Sequence, residues 1–565
     1  MATDQPVPPR PTSLDPQELG FTPRKPVSWL GPVLLAATGA RVALAQQFGA
    51  YLDKRELQNA FPARTYDHSQ GDELWLDYVA DLGDGFDATY SVAYLLAQSE
   101  LEVDGERLPR GDVLVMGGDQ VYPTASGQAY EDRCEGPYRA ALPQPPDGGR
   151  VPMLFALPGN HDWYDGLTAF LRLFARRGGG RVGGWLTCQT RSYFALKLPH
   201  RWWLLAIDAQ DGAYLDDPQL EYFRQVATEF RPGDRIIVCT PQPSWVYAQT
   251  NPRAYDTVDY FVRRVVAPTG AQIALMLTGD LHHYARYAEV DGDRQLVTFG
   301  GGGAYLYATH RLPRRITVPP ERAAVRKASP SREYALAKTY PSARRSRALG
   351  TGVFVRLPAR NPGFVGLLGV LHTLLLLALD HAQRVLTLPV FLMVAVTFGL
   401  TLFFAAGLTT GRRTVTNYAL GVGHALAHLA LAVAGTALWR ALPFHDWEWP
   451  LPVLTAAVLY GPVVGLVAAQ IVAAYLLVAA QAGVNLNELF AGQGIEGYKG
   501  FLRMHIGPDG TLTVYAIGLD RVSKRWRANP DAAPSAPWIE PERRLRPRIV
   551  DGPLVLGAQS RCRSS

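Results

Sequence analysis

Between about residues 70 and 310, short apolar runs end again and again in polar or glycine-rich turns. The runs are Leu74–Ala80, Val113–Met116, Met153–Leu157, Trp202–Ile207, Arg235–Cys239, Ile273–Leu277 and Gln295–Phe299. Each reads as a buried strand. Helix-like stretches such as Thr89–Leu101 and Gln219–Phe230 lie between them. Strands alternating with helices predict an α/β domain whose functional groups gather at one edge of its sheets.

After Arg360 the pattern changes. No Asp, Glu, Lys or Arg occurs over Asn361–Leu379, Val385–Thr410, Thr414–Trp439 or Pro450–Asn487. At helical rise each run is long enough to cross a hydrocarbon layer of about 30 Å. Four transmembrane helices are expected, the last kinked or starting in the interface at Gly461-Pro462. Beyond them, Phe501–Ile506 and Thr511–Ile517 flank Gly507-Pro-Asp-Gly510, a hairpin pattern. Such a hairpin can form a small domain or add strands to the α/β domain. Residues 1–27 are Pro-rich and polar, and the tail from about Asn529 is rich in Pro and Arg, so both are expected to be loose.

Composition refines this picture at three points. The 565 residues are 48% hydrophobic and 19% charged, which excludes a disordered chain. The net charge of +6 is uneven: thirteen Arg or Lys lie between Arg311 and Arg360 against Glu321 and Glu333. That segment reads as a linker or a lipid-facing patch, not a nucleic-acid site. With Arg412-Arg413 between the second and third apolar runs, it places both ends of the bundle on the cytoplasmic side. The four cysteines, Cys134, Cys188, Cys239 and Cys562, are too scattered for a disulfide framework and agree with a reducing compartment. Trp29–Ala45 mimics a signal peptide, but Arg41 interrupts it and a Pro-rich stretch precedes it. It reads as an amphipathic helix continuing toward Asp53-Lys-Arg-Glu56.

The chemistry sits at four strand ends: Asp81-Leu-Gly-Asp84, Gly118-Asp-Gln-Val-Tyr122, Gly159-Asn-His-Asp162 and Gly279-Asp-Leu-His-His283. Asp, Asn and His at successive strand ends are oxygen and imidazole donors suited to iron, manganese or zinc. His161 is able to trade a proton, with Asp162 available to orient its ring. Paired cations would neutralise an anionic phosphate ester and activate water.

In this order the motifs resemble the calcineurin-like metallophosphoesterase superfamily over residues 70–310, and within it the purple acid phosphatase variant. The resemblance carries Gly83 together with Tyr122, where a tyrosinate replaces a histidine ligand. It implies a two-sheet αββα sandwich, fused here to an all-α transmembrane bundle of about four helices and a small C-terminal β-hairpin region. It also implies two divalent or trivalent metal ions (Fe, Mn or Zn). Asp81, Asp119, Tyr122 and His282 would hold the first, while Asp119, Asn160 and Asp280 would serve the second. His161 and Asp162 would be catalytic, and Arg286 and His283 would contact substrate phosphate.

Two departures bear on the second metal. Asp280 stands where the family has an imidazole, and Cys239-Thr-Pro-Gln-Pro-Ser-Trp245 lacks the histidine expected after its strand. Thr240, Gln242, His283 or His310 are the substitutes available. Tyr122 also reads as a turn tyrosine before Pro123, Asp84 and Asp87 as turn and helix-cap residues, and Arg286 as half of a surface pair. Gly300–Gly303 either presents amides to phosphate or makes a tight turn beside the site.

The expected division is a flexible tail over 1–27, a metallophosphoesterase domain with its N-terminal amphipathic helix over 28–310 and a basic linker over 311–360. The transmembrane bundle over 361–487, a cytoplasmic β segment over 488–528 and the Pro/Arg-rich tail over 529–565 follow. The expected function is hydrolysis of phosphomonoesters or phosphodiesters by metal-bound hydroxide, with a lipid-linked substrate suggested by attachment to the bilayer. The rival is a catalytically impaired phosphoesterase-like sensor or binding protein in the membrane. In the bundle, His372, His424 and His428 can hold a metal or haem, or hydrogen-bond between helices.

Overall fold

The computed structural model describes residues 10–37, 56–146, 150–209, 215–321, 328–381, 387–406 and 415–557. Arg412-Arg413, Cys562 and most of the expected amphipathic helix lie outside the described residues. The chain divides into two compact units. One draws on Met1–Val27, Leu44–Ala343 and Glu496–Ser565, the other on Ser28–Ala43 and Arg344–Ile495.

The first unit is built on two large mixed sheets with helices on both outer faces, an αββα sandwich. In the eight-stranded sheet, Leu74–Val79, Val113–Met116 and Met153–Ala156 run parallel. In the nine-stranded sheet, Trp202–Ala206, Arg235–Cys239 and Gln272–Thr278 run parallel, followed by Gln295–Phe299 and Tyr284–Glu289. Alternation sorts the side chains. Leu76, Tyr78, Val115 and Phe155 face Leu204, Ile237, Leu277 and Val297 between the sheets. Val79, Leu114 and Met116 turn outward to the helix Phe86–Ala97, and Ile236, Val238 and Met276 pack under Asp217–Ala227 on the opposite face.

Several segments differ from their sequence reading, because strand pairing, local at Glu100–Val103 and long-range at the sheet edges, supplies what the apolar pattern lacks. The Thr89–Leu101 helix instead spans Phe86–Ala97, and Leu101 belongs to the strand Glu100–Val103. The supposed linker contributes Arg315–Val318 and Arg332–Tyr340 to the edge of the nine-stranded sheet, then helices Ala343–Gly350 and Val353–Arg360. The described part of the expected amphipathic helix, over 32–37, falls in the second unit. The tails are not loose where described. The Arg10 guanidinium donates to the carbonyls of Asn529, Ala533 and Pro537, and Leu19 and Phe21 are buried. Arg548–Leu556 forms a sheet edge.

The C-terminal hairpin, Lys499–Ile506 and Leu512–Leu519, adds to the eight-stranded sheet beside Leu74–Val79. Its anchor is a buried ion pair. Arg503 donates to both carboxylate oxygens of Asp77 at 2.7 and 2.9 Å and to the carbonyl of Leu108 at 2.9 Å.

The second unit contains four helices long and apolar enough to cross a membrane: Pro362–Asp380, Leu388–Ala406, Val415–Arg440 and Leu451–Gln481. They give the chain a multi-pass membrane placement. Small residues set the closest approaches, since a Cβ on Gly369 would come within 2.5 Å of the Gly461 carbonyl oxygen. The fourth span carries a π-helical turn, Ala456–Tyr460, immediately before Gly461-Pro462. There the proline has no N–H to give the helix.

Removing one partner of the Arg503–Asp77 pair strands the other charge in the core. Asp77→Ala is expected to destabilise the sandwich by about 3–5 kcal/mol, read from denaturant midpoints of the full chain in detergent. Arg503→Met combined with Asp77→Leu should recover most of that loss.

Candidate functional site

Parallel strands bring their carboxyl ends to one edge, so the residues that follow them meet. Asp81 comes after Leu74–Val79, Asp119 after Val113–Met116, Asn160 and His161 after Met153–Ala156, and Asp280 and His282 after Gln272–Thr278. Asp81, Asp119 and Asp280 all hold left-handed backbone, with φ of 60°, 51° and 66°. Side chains with a Cβ avoid this region, and Asp tolerates it better than most. Three strained aspartates at one corner mark a site at which the surrounding structure imposes the conformation.

The packing around them is close. A Cβ on Gly159 would lie 2.1 Å from Asp119 Oδ1, and one on Gly300 would lie 2.4 Å from Asp81 Oδ2. The run after Gln295–Phe299 is thus a tight turn against Asp81, with Gly302 N donating to the Ala80 carbonyl at 2.8 Å.

Tyr122 is the meeting point. Its hydroxyl lies 2.9 Å from Asp81 Oδ1, 3.0 Å from Asp119 Oδ2 and 3.1 Å from His282 Nε2. All four side chains are buried. Asp280 N donates to both Asp81 oxygens at 2.9 and 3.1 Å, and His161 N donates to Asp119 Oδ1 at 2.8 Å. Burial pushes the Asp81 carboxyl well above its ordinary range, and the Asp119 and Asp280 charges push it further. Burial likewise raises Asp119, opposed by His161, and raises the Tyr122 phenol, helped by the two aspartates. His282 is held well below its usual value by burial and then by Lys499.

Among the described residues no group of three or more His, Cys, Asp or Glu is arranged to hold a metal ion. The phenol stands between Asp81, Asp119 and His282, so a cation there would need Tyr122 itself as a ligand. With it, two carboxylates, a phenolate and an imidazole would be the donor types that a hard or borderline cation takes. Positive charge at that point would favour the ionised form of each oxygen donor, reversing the effect of burial.

A second position is less well supplied. The Asp280 carboxylate accepts from the Tyr247 hydroxyl, and the Thr240 hydroxyl is turned to the Gln242 carbonyl at 3.1 Å. Asn160 Oδ1 is buried without a hydrogen-bond partner.

His161 and Asp162 are arranged differently from expectation. Nδ1 of His161 faces the Pro123 carbonyl at 2.7 Å, and a carbonyl only accepts, so Nδ1 carries a proton. Asp162 turns into the core, where it accepts from the Tyr130 hydroxyl and from Gly159 N at 2.8 Å. It braces the turn, while Pro123 orients the ring. Arg286 is clamped by Asp551 at 2.6 Å and Gln295 at 2.9 Å, which engages it away from substrate contact. His283 is fully buried and its pKa is pushed down to about 3, so at neutral pH it cannot offer a phosphate a positive charge. Asp84 caps backbone, accepting from Val27 N and Tyr305 N, and Asp87 accepts from Trp526 Nε1.

Lys499 escaped the sequence reading. It is fully buried, its Nζ has no hydrogen-bond partner, and burial lowers its pKa to about 8. Asp84, Glu496 and Asp81 oppose that shift, so the amine adds positive charge on the Asp81 side of the site. The only sequence signal was a lysine heading the apolar strand Lys499–Ile506.

No protein-family model matches the chain, and no curated protein does. Solved structures share a partial, distant likeness. One, described as GAP50, the anchor in the inner membrane complex of Plasmodium, is 15% identical with a TM-score of 0.31 over 46% of this chain and 78% of that one. Purple acid phosphatase PPD1 from yellow lupin (Lupinus luteus) seeds is 12% identical, TM-score 0.27, over 44% of this chain and 46% of that one. PhoD is 11% identical, TM-score 0.28, over 43% and 59%. Values this low say nothing about activity.

Gly159→Ala forces its Cβ into Asp119. The expected result is a loss of about 1–3 kcal/mol, seen as a lower thermal midpoint of the full chain in detergent. An unchanged midpoint would show that the Asp119 turn gives way freely.

Proposed function

We propose that the chain is a membrane-embedded, phosphoesterase-like protein that binds a phosphate ester at the Asp81, Asp119, Tyr122 and His282 corner with impaired turnover. The observation that supports this reading is the inequality of the two donor sets. Four side chains meet at the Tyr122 hydroxyl, whereas Asp280 is engaged by Tyr247 and no imidazole follows Cys239 before Trp245. A cation held by the first set would supply charge to offset a phosphoryl group. Asn160 would donate to the phosphate from its amide nitrogen on one side, leaving the acceptor Oδ1 to face a cation. His161, its Nδ1–H given to Pro123, would donate from Nε2 to a phosphate oxygen on the other side when both ring nitrogens carry protons.

Hydrolysis is the second reading, favoured by the same two residues. His161 stays beside Asp119, its backbone N donating to Oδ1 at 2.8 Å, and Asn160 precedes it in the same turn, where a phosphoester hydrolase using two Fe, Mn or Zn ions would need them. His161 would then protonate the leaving oxygen through Nε2. Attachment to the bilayer suggests a lipid-linked ester in either case.

Metal content and turnover of the purified full chain separate the two. The binding reading expects about one metal per chain and no turnover of aryl phosphates. It also expects phosphate-ester affinity reduced at least about tenfold in Asn160→Ala and Tyr122→Phe. Two metals per chain, with turnover abolished in Asn160→Ala and His161→Ala, would establish the hydrolase and sink the binding protein.

We further infer that the sandwich and both ends of the bundle face the cytoplasm, from the arginines before the first span and between the second and third. An alkaline phosphatase reporter is expected to be inactive after Gly557 and active within His445–Trp449; the reverse pattern would invert the topology.

A further inference from the structure

Three imidazoles form a continuous hydrogen-bonded chain within the bundle. His372 Nε2, in the first span, lies 3.0 Å from His428 Nδ1 in the third. His428 Nε2 then lies 3.1 Å from His424 Nε2, one turn away on the same helix face. All three rings are buried, and the outer nitrogens at the two ends, His372 Nδ1 and His424 Nδ1, have no hydrogen-bond partner. Each histidine sits in the interior of its span rather than at an end.

Two ordinary explanations do not account for this arrangement. A chelated metal requires one nitrogen from each ring to converge on a point. His428 instead spends one nitrogen on each neighbour, and one ion cannot take both nitrogens of a single ring. The described residues hold no three-ligand metal group. Helix adhesion needs only the His372–His428 bond between the first and third spans. The addition of His424 leaves a further polar nitrogen buried and unsatisfied, and intramembrane ionisable groups arranged in this way mark proton pathways.

We propose that His372, His428 and His424 form a proton relay in the membrane core of the bundle. In the neutral chain each ring holds one proton, and every internal N–H points the same way. A proton binds the lone pair of the outer nitrogen at one end. The N–H of that ring breaks as its proton passes to His428, whose own proton passes to the third ring. The outer N–H at the far end then releases its proton. One proton enters and one leaves, no charge accumulates, and each ring finishes as its other tautomer, to be reset by exchange or rotation.

The neighbouring groups suit this role. Tyr475 of the fourth span stacks on the His424 ring at 4.1 Å and 7°, and its hydroxyl donates to Asn485 Oδ1 at 2.8 Å. Asn485 Nδ2 in turn donates to the Phe404 carbonyl of the second span at 3.0 Å. On the first span, Thr373 beside His372 is occupied by the Gly369 carbonyl at 2.8 Å. Among the described residues no ionised side chain hydrogen-bonds to the three rings.

The test uses the full chain reconstituted in phosphatidylcholine–phosphatidylglycerol vesicles with entrapped pyranine, driven by a potassium gradient and valinomycin. Proton entry is expected about tenfold or more above protein-free vesicles, falling to the protein-free rate in His428→Gln. A glutamine keeps hydrogen bonds but cannot pass a proton through a ring. His372→Gln and His424→Gln, removing different members, should fall equally if the chain acts as one. Wild-type flux at the protein-free rate, or full flux in a folded His428→Gln, overturns the proposal. So does stoichiometric zinc lost in that variant. Imidazole ¹⁵N spectra of the wild type need no variant to fold: two exchanging tautomers per ring support the relay, and one static tautomer in all three overturns it.

Discussion

The Arg503–Asp77 ion pair is the constraint on which the architecture depends. It joins residues far apart in the chain across the strand pair Lys499–Ile506 and Leu74–Val79, both charges lying within the core. A buried pair of this kind gives little net stability over an apolar substitute but penalises every arrangement that separates its members. The pair therefore specifies register, and with register the return of the chain after the apolar helices. The helical unit is an insertion between parts of one sandwich. Neither the sandwich core nor the Lys499 amine beside its site is complete until the last part of the chain has been added.

The same sheet dictates the site. Parallel strands in adjacent register present their carboxyl ends together with left-handed aspartates at three of those ends, two of which, Asp81 and Asp119, turn their carboxylates to Tyr122 while Asp280 turns to Tyr247. The glycines at 159 and 300 are the steric counterpart, since each leaves room for a carboxylate that a methyl group would displace. The result is asymmetric. One corner concentrates four donors, while the neighbouring position has its aspartate engaged by Tyr247 and keeps an unpartnered amide oxygen.

In the bundle the logic of polarity is inverted. Glycines let helices approach, apolar faces meet lipid, and the few polar groups inside must find one another. Thr397, Thr401 and Thr436 return their hydroxyls to carbonyls on their own helices. The three histidines instead reach each other and leave two nitrogens over. That surplus distinguishes them from helix glue.

Much of the sandwich and the four spans was legible in the sequence, because each rests on a local pattern: strand-length apolar runs with turn residues, and long charge-free runs. The motif residues Asp81, Asp119, Tyr122 and His282 were legible too, because backbone geometry makes strand-end residues neighbours once strands are parallel. What local pattern could not carry was pairing between distant segments. The basic stretch around Arg315–Tyr340, the hairpin and the tail strand Arg548–Leu556 acquired their places only from the sheets that received them. Side-chain direction was equally out of reach: Asp162 serves Tyr130 while Pro123 holds His161, and Arg286 is consumed by Asp551. The amino-acid sequence determined by itself which elements form and which donors they carry, since both are properties of short stretches. Only the tertiary structure decided which donors meet, because hydrogen-bond partners are settled by packing across hundreds of residues.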